Sequence, residues 1–434
     1  MAAFKSEFEV KRLKCAGLDV HKSMVVAAII DTHPETLEAS YKVKKFSTMN
    51  DDILALKDWL LENGCKDVCM ESTGKYWIPI FNTLEPHMDS TVLTHPKYVR
   101  AIKGKKTDKR DAKWIANLFR FDIVKSSFIP PPDIRAMREL SRYRLKLSHM
   151  ATSEKNRYQN SMTISRIRLD SVLSDPFGKS ASSIMGYLLS TESIDDEKIL
   201  SLVDRRVKAS REDILRSVHG FRILAEQKFK MEHAQAHLDL INTSIMEINA
   251  EMAKLCAPYS QQITNICTVP GFTGLSASYL IAEVGTDMSV FESDKHFISW
   301  CGLCPDSNRS ASKNKSARIG KGGKYLKPLL VQCAYAAIRS KQNPYYGIKY
   351  KRIAKRRGKK KAIIAIARMM LTSIYHMLED GTTWLPCDYE EIVHPKPQKK
   401  VVLNMDNVLQ FLGEQGADQE TIKLLQQQCA AHIA

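Results

Sequence analysis

Residues 15–125 alternate between short segments typical of β-strands and amphipathic helical segments, and this alternation limits the possible folds more than any other feature. Three strand patterns open the series, namely CAGLDV, MVVAAIID and YKVKKFS. Helices and strands then alternate in the order DDILALKDWLLENG, DVCMEST, YWIPIFNTLE, STVLTH and TDKRDAKWIANLFR. Three neighbouring strands followed by this alternation predict a mixed α/β sheet flanked by helices.

A helical region follows the proline run at 130–132. Within it, apolar residues recur at alternating steps of four and three, which is the spacing of a coiled-coil seam: Ala234, Leu238, Ile241, Ile245, Ile248, Met252 and Leu255. The seam predicts pairing with another helix, either in a hairpin or in a second copy of the chain. The alternative is a helix packed inside its own chain.

These patterns divide the chain into five segments. They are an N-terminal extension (1–14), an α/β domain (15–128), a helical linker with the coiled coil (129–261), a mostly α-helical C-terminal domain (262–386), and a linker with a small helical tail (387–434).

The positive charge is concentrated in one region. The net charge is +17, and residues 307–378 contain nineteen lysines and arginines without one aspartate or glutamate. A solvated lysine-rich surface normally mixes both signs, so this exclusion of acids indicates a polyanionic partner. Nucleic acid is favoured over a membrane surface.

Several other classes of protein are disfavoured. No uninterrupted apolar run reaches the roughly 18–20 residues of a membrane span, and the N-terminus lacks the apolar core of a signal peptide. The ten cysteines form no even framework, and Cys301-Gly-Leu-Cys304 has no second pair to complete a zinc site. We therefore expect a soluble, cytoplasmic protein with reduced cysteines.

Four acidic residues stand out by position. Asp19 lies at the end of the first strand, Glu71 at the end of a central strand, and Asp108 and Asp111 in KTDKRDA. If Thr107 caps the helix that starts there, the two aspartates share one face of its first turn. Carboxylates from two strand ends and one helix start can converge at one edge of a sheet.

Phosphodiester cleavage gives a chemical reason for such a cluster. Two Mg²⁺ ions about 4 Å apart can serve the attacking and leaving oxygens, and hard cations prefer carboxylate ligands. Singly, each acid has an ordinary explanation, because acids are favourable at helix N-termini and common at strand ends. The basic loop at 96–106 suits a phosphate backbone beside the metals, and His21 is interpreted as a polar neighbour rather than a ligand.

An actin-like ATPase domain also opens with three strands. It would need glycine soon after the first aspartate to receive phosphates, whereas Val20 and His21 follow Asp19. This sequence therefore argues against an ATPase.

The second half contains its own binding signals. VPGFTG before an apolar helix predicts a tight turn feeding a helix N-terminus, whose amides can bind phosphate, although an ordinary helix hairpin fits equally well. The run KYKRIAKRRGKKK predicts a nucleic-acid surface, with stacking of bases on Tyr345, Tyr346 and Tyr350. The predicted nucleic-acid-binding residues are Lys103, Lys105, Lys106, Arg309, Lys313, Arg318, Lys321, Lys351, Arg352, Lys355, Arg356 and Arg357.

The ordered motifs GLDVHK, MESTGKYW and KTDKRDA resemble the N-terminal RuvC-like domain of the insertion sequence 110 family of transposases. VPGFTGLSASYLIAEVG, FISWCGLCPDSNRS and RIGKGGKYLKPLLVQCA resemble the second domain of the same family. The resemblance covers about 15–125 and 262–385. It implies an RNase H-like fold and an Asp-Glu-Asp-Asp site, which fall here on Asp19, Glu71, Asp108 and Asp111.

The resemblance further implies a nucleophilic serine five residues after Pro305, which is Ser310. Ser312 is the alternative, because this chain has Ser310-Ala311-Ser312 where family members usually carry Ser-Gly. Relatives of this kind act on double-stranded DNA of element ends and target, guided by a structured RNA. They work as dimers or tetramers in which the serine of one protomer completes the carboxylate site of another.

The resulting hypothesis is a DNA transposase or recombinase that uses Mg²⁺, with Mn²⁺ as a substitute. In it Ser310 is transiently joined to a DNA phosphate and later displaced by a 3′-hydroxyl. Two rivals remain open: a metal-dependent junction-resolving nuclease that uses water instead of the serine, and a non-catalytic nucleic-acid-binding protein.

Overall fold

The structure is a computed structural model. It describes residues 9–71, 74–99, 107–305, 309–310, 313–314, 319, 322–395, 405–416 and 418–433. The chain divides into two compact units, which are residues 1–260 with 278–290, and residues 261–277 with 291–434.

A five-stranded mixed sheet lies in the first unit, as the sequence predicts. Its strands are β1 (Lys14–Val20), β2 (Met24–Thr32), β3 (Ala39–Ser47), β4 (Asp67–Glu71) and β5 (Ser90–Thr94). The order across the sheet is β3-β2-β1-β4-β5. The first three strands are antiparallel neighbours, whereas β4 pairs parallel with both β1 and β5. This mixed sheet with flanking helices is consistent with an RNase H-like domain.

Both faces of the sheet are covered by helices. These are α1 (Asn50–Glu62), α2 (Trp77–Leu84), the short α3 (Pro96–Val99) and α4 (Asp108–Arg120), with a 3₁₀ turn at Glu85–His87. Side chains alternate along β1, so Ala16, Leu18 and Val20 join the core beneath α1 and α2. Cys15 faces the opposite way and packs with Ile115 and Phe119 of α4.

Gly17 lets α4 lie directly on the sheet. A Cβ at this position would come within 2.3 Å of both the Ala112 carbonyl oxygen and the Ala116 amide nitrogen. Such distances are far inside van der Waals contact, so only glycine permits this approach of helix backbone to strand. The contact fixes the N-terminus of α4 over the end of β1.

A long antiparallel hairpin of two helices, α5 (Pro132–Ile164) and α10 (Ala225–Cys256), extends the first unit. The seam predicted on α10 lies against α5, with Leu238, Ile241 and Met252 buried. Arg144 Nε of α5 donates to Asn249 Oδ1 of α10 at 2.7 Å. Among the predicted alternatives, the structure therefore shows a hairpin within the chain.

A small helical cluster connects the two arms of the hairpin. It contains α6 (Leu169–Val172), α7 (Lys179–Ser190), α8 (Asp196–Ser201) and α9 (Arg211–Arg216). Ile167, Leu169, Ile184 and Ile199 are fully buried in its core, which also includes Met162 of α5. The cluster thus packs around the ends of both long helices.

Glu283 anchors a further segment to α5. It is 6% exposed and accepts bidentate hydrogen bonds from Arg142, from Nε and Nη2 at 2.7 Å each. Arg138 donates to the carbonyl oxygens of Ala282 and Glu283, and burial lowers the Arg138 pKa to about 10. The Glu283 carboxylate therefore compensates the positive charge of two arginine side chains that are largely removed from solvent.

The second unit is mostly helical, as predicted. Two helices cross the boundary between the units, α11 (Ser260–Cys267), which follows a 3₁₀ turn at Ala257–Tyr259, and α12 (Gly274–Val284). The elements that lie entirely in the second unit are α13 (Asp294–Trp300), β6 (Arg309–Ser310), β7 (Lys313–Asn314), α14 (Leu326–Ala337), α15 (Tyr345–Arg357), α16 (Lys359–Asp380), α17 (Tyr389–Val393), α18 (Met405–Glu414) and α19 (Gln419–Ile433). VPGFTG forms the expected turn before α12, with Gly271 at φ +90°. A Cβ there would meet the Cys333 carbonyl oxygen of α14.

Helix α16 is the central core helix of the second unit. Ile366, Met370, Leu371 and Ile374 are fully buried, and α13, α14 and α15 pack against it. Among the described residues it is the one helix long and apolar enough to cross a membrane, a property that counting uninterrupted apolar residues misses. Half of its most apolar stretch is buried inside the fold, as in the core helices of globular proteins.

We expect Gly17→Ala to lower the free energy of unfolding by about 1–3 kcal/mol, because α4 must move away from β1 to admit the methyl group. Chemical denaturation monitored by circular dichroism measures the loss. Gly186→Ala is the matched control, since a Cβ at that exposed helical position meets no atom within 4 Å. The control should be stabilised by up to about 1 kcal/mol. Equal stability of the two variants would contradict the close contact.

Glu283→Ala should cost about 3–5 kcal/mol, because two arginines lose their compensating charge in a largely buried site. Glu85→Ala provides the comparison, since its bidentate pair with Arg135 also anchors α5 but leaves the glutamate side chain 34% exposed. That variant should lose about 1 kcal/mol or less, apart from packing effects. If urea denaturation gave similar losses in the free energy of unfolding for both variants, burial of the Glu283 ion pair would not increase its contribution to stability.

Candidate metal centre

Asp19 lies at the centre of the candidate site. As the penultimate residue of β1, it follows Cys15 and Gly17 on the face of the sheet that α4 covers. Its side chain is only 9% exposed. A carboxylate in such a position is held rigidly by the sheet and is poorly solvated.

Glu71 reaches the same edge of the sheet through strand pairing. Strands β1 and β4 run parallel, with Leu18 opposite Met70, so the next residues along the two strands are Asp19 and Glu71. Glu71 also shares a face with Cys69, which packs in the core under α4. Two carboxylates therefore project from adjacent strand ends on one face.

The first turn of α4 brings two further acids. Thr107 caps the helix, its side chain accepting a hydrogen bond from the Arg110 amide, as the sequence predicts. Asp108 and Asp111 occupy the first turn. The helix dipole favours both negative charges at this end.

The electrostatics of Asp19 indicate that these acids are close together. Burial raises the pKa of Asp19 above its ordinary value, and the negative charges of Glu71 and Asp111 raise it further. The His21 imidazole opposes this shift through its charge and its hydrogen bond. Asp19 therefore experiences the repulsion expected of crowded carboxylates.

His21 is more central than the sequence indicates. Its Nε2 lies 3.2 Å from Asp19 Oδ2 and 3.6 Å from Asp108 Oδ1. The turn between β1 and β2 holds it there, with the His21 amide donating to the Met24 carbonyl. Its position two residues after Asp19 was visible in the sequence, but its contact with Asp108 depends on tertiary structure.

The side chains of this cluster have the chemistry of a divalent-cation site. Asp19, His21 and Asp108 each offer a ligand atom, and these atoms all lie within 4.8 Å of one another. Carboxylate oxygens suit both Mg²⁺ and Mn²⁺. A cation bound here would also relieve the repulsion that raises the pKa of Asp19.

The other predicted residues divide into two groups. Lys103, Lys105, Lys106, Arg318, Lys321 and Ser312 lie outside the described residues, as do the side chains of Arg309, Ser310 and Lys313, whose backbones form the short strands β6 and β7. The second group lies on α15 with exposed side chains: Lys351, Arg352, Lys355, Arg356 and Arg357. This exposure leaves their cationic ends accessible to a polyanion.

The predicted stacking of bases on Tyr345 and Tyr346 is wrong. Both side chains are buried, at 4% and 1% exposure, in an aromatic cluster with Trp384. The Tyr346 hydroxyl accepts a hydrogen bond from Trp384 Nε1 at 3.0 Å, and the Tyr345 hydroxyl donates to Asp388 at 2.6 Å. These tyrosines hold α15 in the fold, while five cations of the helix face solvent: Lys351, Arg352, Lys355, Arg356 and Arg357.

Two relatives share part of this sequence. The pilin gene-inverting proteins of Moraxella bovis and Moraxella lacunata are each 29% identical to it over 143 residues. The aligned region covers 32% of this chain and 44% of each relative, so the chain spans less than half of their length.

Two family models match separate parts of the chain. The model for DEDD transposases of the IS110 type, described as "Transposase", matches residues 16–165 and so includes all four acids. A second model, described as "Transposase IS116/IS110/IS902 family", matches residues 263–350. The two ranges together take in more than half of the chain, and this protein belongs to the IS110 family of transposases.

Proposed function

We propose that this protein is a metal-dependent DNA transposase or recombinase that excises and inserts a mobile element by cutting and rejoining DNA strands. The observation that carries the proposal is the cluster around Asp19, where a buried carboxylate meets His21 and Asp108 and is repelled by Glu71 and Asp111. Membership of the IS110 family supports the same activity. The two relatives are named for inverting a gene, which also requires cutting and rejoining DNA.

The four acids Asp19, Glu71, Asp108 and Asp111 are the proposed metal ligands of a RuvC-like site, with His21 as a neighbour or an additional ligand. Bound Mg²⁺ or Mn²⁺ would stabilise negative charge on the reacting phosphate and lower the pKa of a coordinated hydroxyl. The protein itself supplies a rigid frame: two strand ends and one capped helix hold the carboxylates before any ion arrives.

Ser310 is the proposed nucleophile. Its Oγ attacks the phosphorus, a serine–phosphate bond forms, and the bond to the 3′-oxygen breaks, releasing a 3′-hydroxyl. In the second step a 3′-hydroxyl of another strand attacks the same phosphorus, and the serine oxygen leaves and regains its proton. The number of phosphodiester bonds is conserved, so strand exchange needs no external energy source. Ser312 is the alternative nucleophile.

Nucleic acid is the proposed partner of the basic second unit. Five exposed cations on α15 present a charged surface that can neutralise phosphates without reading sequence: Lys351, Arg352, Lys355, Arg356 and Arg357. The family resemblance adds a structured guide RNA and a dimer or tetramer to this proposal. A nucleoid-associated location follows from the proposed DNA binding.

A metal site at Asp19 predicts a shift in thermal stability that can be measured without DNA. Saturating Mn²⁺ or Mg²⁺ should stabilise the protein by about 2.7 kcal/mol at a hundredfold excess over Kd. Asp19→Asn and Asp111→Asn should abolish this shift, and Asp19→Asn should leave the metal-free protein at least as stable because it removes a buried, repelled charge. Thermal unfolding with and without metal tests both statements.

The control for that experiment is Asp51→Asn. Asp51 lies in the first turn of α1, as Asp111 lies in that of α4, but α1 covers the other face of the sheet. This variant should keep the full metal-induced shift. If the Asp19 variant kept it too, the ion would bind elsewhere.

Ser310→Ala should abolish the covalent protein–DNA adduct and recombination while leaving DNA binding unchanged, because the change removes a single oxygen atom. The assay uses purified protein with its co-purifying RNA, matched donor and target DNA, and Mg²⁺ against EDTA, and detects the adduct on a denaturing gel. Ser312→Ala is the matched control and should retain both activities. Full strand cleavage by the Ser310 variant would instead support a nuclease that uses water.

A further inference from the structure

A lysine-lined groove adjoins the carboxylate cluster. It lies between the edge strand β3 and the start of α4 and has a volume of about 440 Å³. Its walls are formed by Val26, Val43, Lys44, Lys45, Thr107, Asp108 and Lys109. Asp108 belongs both to this groove and to the group with Asp19 and His21, so the two sites share a wall.

Strand β3 separates its lysines between two faces. Lys42 donates to Asn63 Oδ1 at 2.7 Å. Lys44 lines the groove, but its ammonium lies 5.0 Å from the Phe46 ring centroid, so the cationic ends of both side chains are engaged at the α1 side. Because side chains alternate along a strand, Lys45 lies on the opposite face from Lys42 and Lys44, which is the α4 side that Val43 also faces. In the strand register Lys45 is opposite Val26, which is opposite Asp19. Two interstrand spacings place it about 10 Å from the Asp19 position.

Lys109 forms the other wall. It is exposed in the first turn of α4, where the helix dipole disfavours a cation. Within the described part of the chain, neither Lys45 nor Lys109 forms a salt bridge with a carboxylate. Lysine on an edge strand commonly prevents sheets from pairing, but this role does not account for a lysine at the N-terminus of α4.

The positive surface continues along the same side. Lys113 lies one turn beyond Lys109, and its ammonium is 4.9 Å from the ring centroid of Tyr41 on β3. Both side chains are exposed. Cations from one helix and one strand therefore line a path that begins at the carboxylates and leads away from them.

We propose that this groove holds the sugar–phosphate backbone of the DNA strand beside the phosphate that reacts, with Lys45 and Lys109 contacting flanking phosphates. The inference rests on the proposed function, since a strand must lie across the carboxylates to be cut. Acidic side chains alone would repel such a strand, and two lysines on the adjoining walls offset that repulsion. Ammonium groups contact phosphates without reading bases, so the groove positions DNA of any sequence.

Lysine footprinting on the full chain tests the position of the strand. The protein is treated with an amine-acylating reagent in Mg²⁺, alone, with mixed-sequence duplex DNA, or with RNA of the same sequence, and acylation at each lysine is measured by mass spectrometry. Lys45 and Lys109 should react severalfold more slowly with DNA, whereas Lys42 should not change. RNA should protect them less than DNA.

Variants test the energetic contribution. Lys45→Gln with Lys109→Gln should weaken DNA binding and reduce the slope of log Kd against log salt by about 1–2, because each lost phosphate contact on duplex DNA contributes about 0.9. Lys42→Gln, which removes one positive charge from the other face of β3, should leave the slope unchanged. Metal-induced thermal stabilisation should persist in the double variant, which shows that it remains folded with its metal site intact.

The outcomes separate this inference from the proposed function. If the protein binds DNA while Lys45 and Lys109 stay fully reactive, and the double variant has an unchanged salt slope, the groove does not hold the DNA strand. The transposase proposal would still stand in that case. Stronger protection by RNA than by DNA would overturn the choice of DNA as occupant. A protein that binds no DNA would overturn both.

Discussion

The direct contact between α4 and β1 is the constraint on which the site depends. Because Gly17 has no side chain, the backbone of α4 rests on the strand at Ala112 and Ala116. This contact sets the height of the helix above the sheet, and with it the position of Asp108 and Asp111 relative to Asp19. A larger residue at 17 would not touch any acid, yet it would move two of the four acids away from the other two.

The cluster is assembled against its own electrostatic repulsion. Burial and the neighbouring acids raise the pKa of Asp19, whereas His21 lowers it, and the N-terminal dipole of α4 favours the two aspartates of its first turn. Sheet pairing and helix packing hold the carboxylates together despite the cost. This local electrostatic strain is typical of sites where a ligand is expected to supply the missing charge. In the same way, the adjoining lysines of β3 and α4 would compensate the negative charge of the proposed DNA strand.

Local sequence patterns predict much of this arrangement. Strand alternation predicts the sheet, Thr107 predicts the cap of α4, and the ends of β1 and β4 predict where Asp19 and Glu71 meet. Local patterns could not reveal the contact of His21 with Asp108, which joins residues far apart in the chain. They also misplaced Tyr345 and Tyr346, because proximity to lysines in sequence said nothing about burial against Trp384. The coiled-coil spacing on α10 predicted a partner helix but did not specify α5.

The hairpin of α5 and α10 has a consequence for how such a chain can diversify. A helix of 33 residues spans about 50 Å, and the Arg135–Glu85 and Arg142–Glu283 pairs fasten α5 near its start. The helical cluster at 165–224 packs at the far end around its own core. Insertions, deletions or replacement of this cluster would change the surface at the far end of the hairpin without moving the carboxylates. Evolution can therefore vary the partners of that end while the carboxylate cluster stays the same.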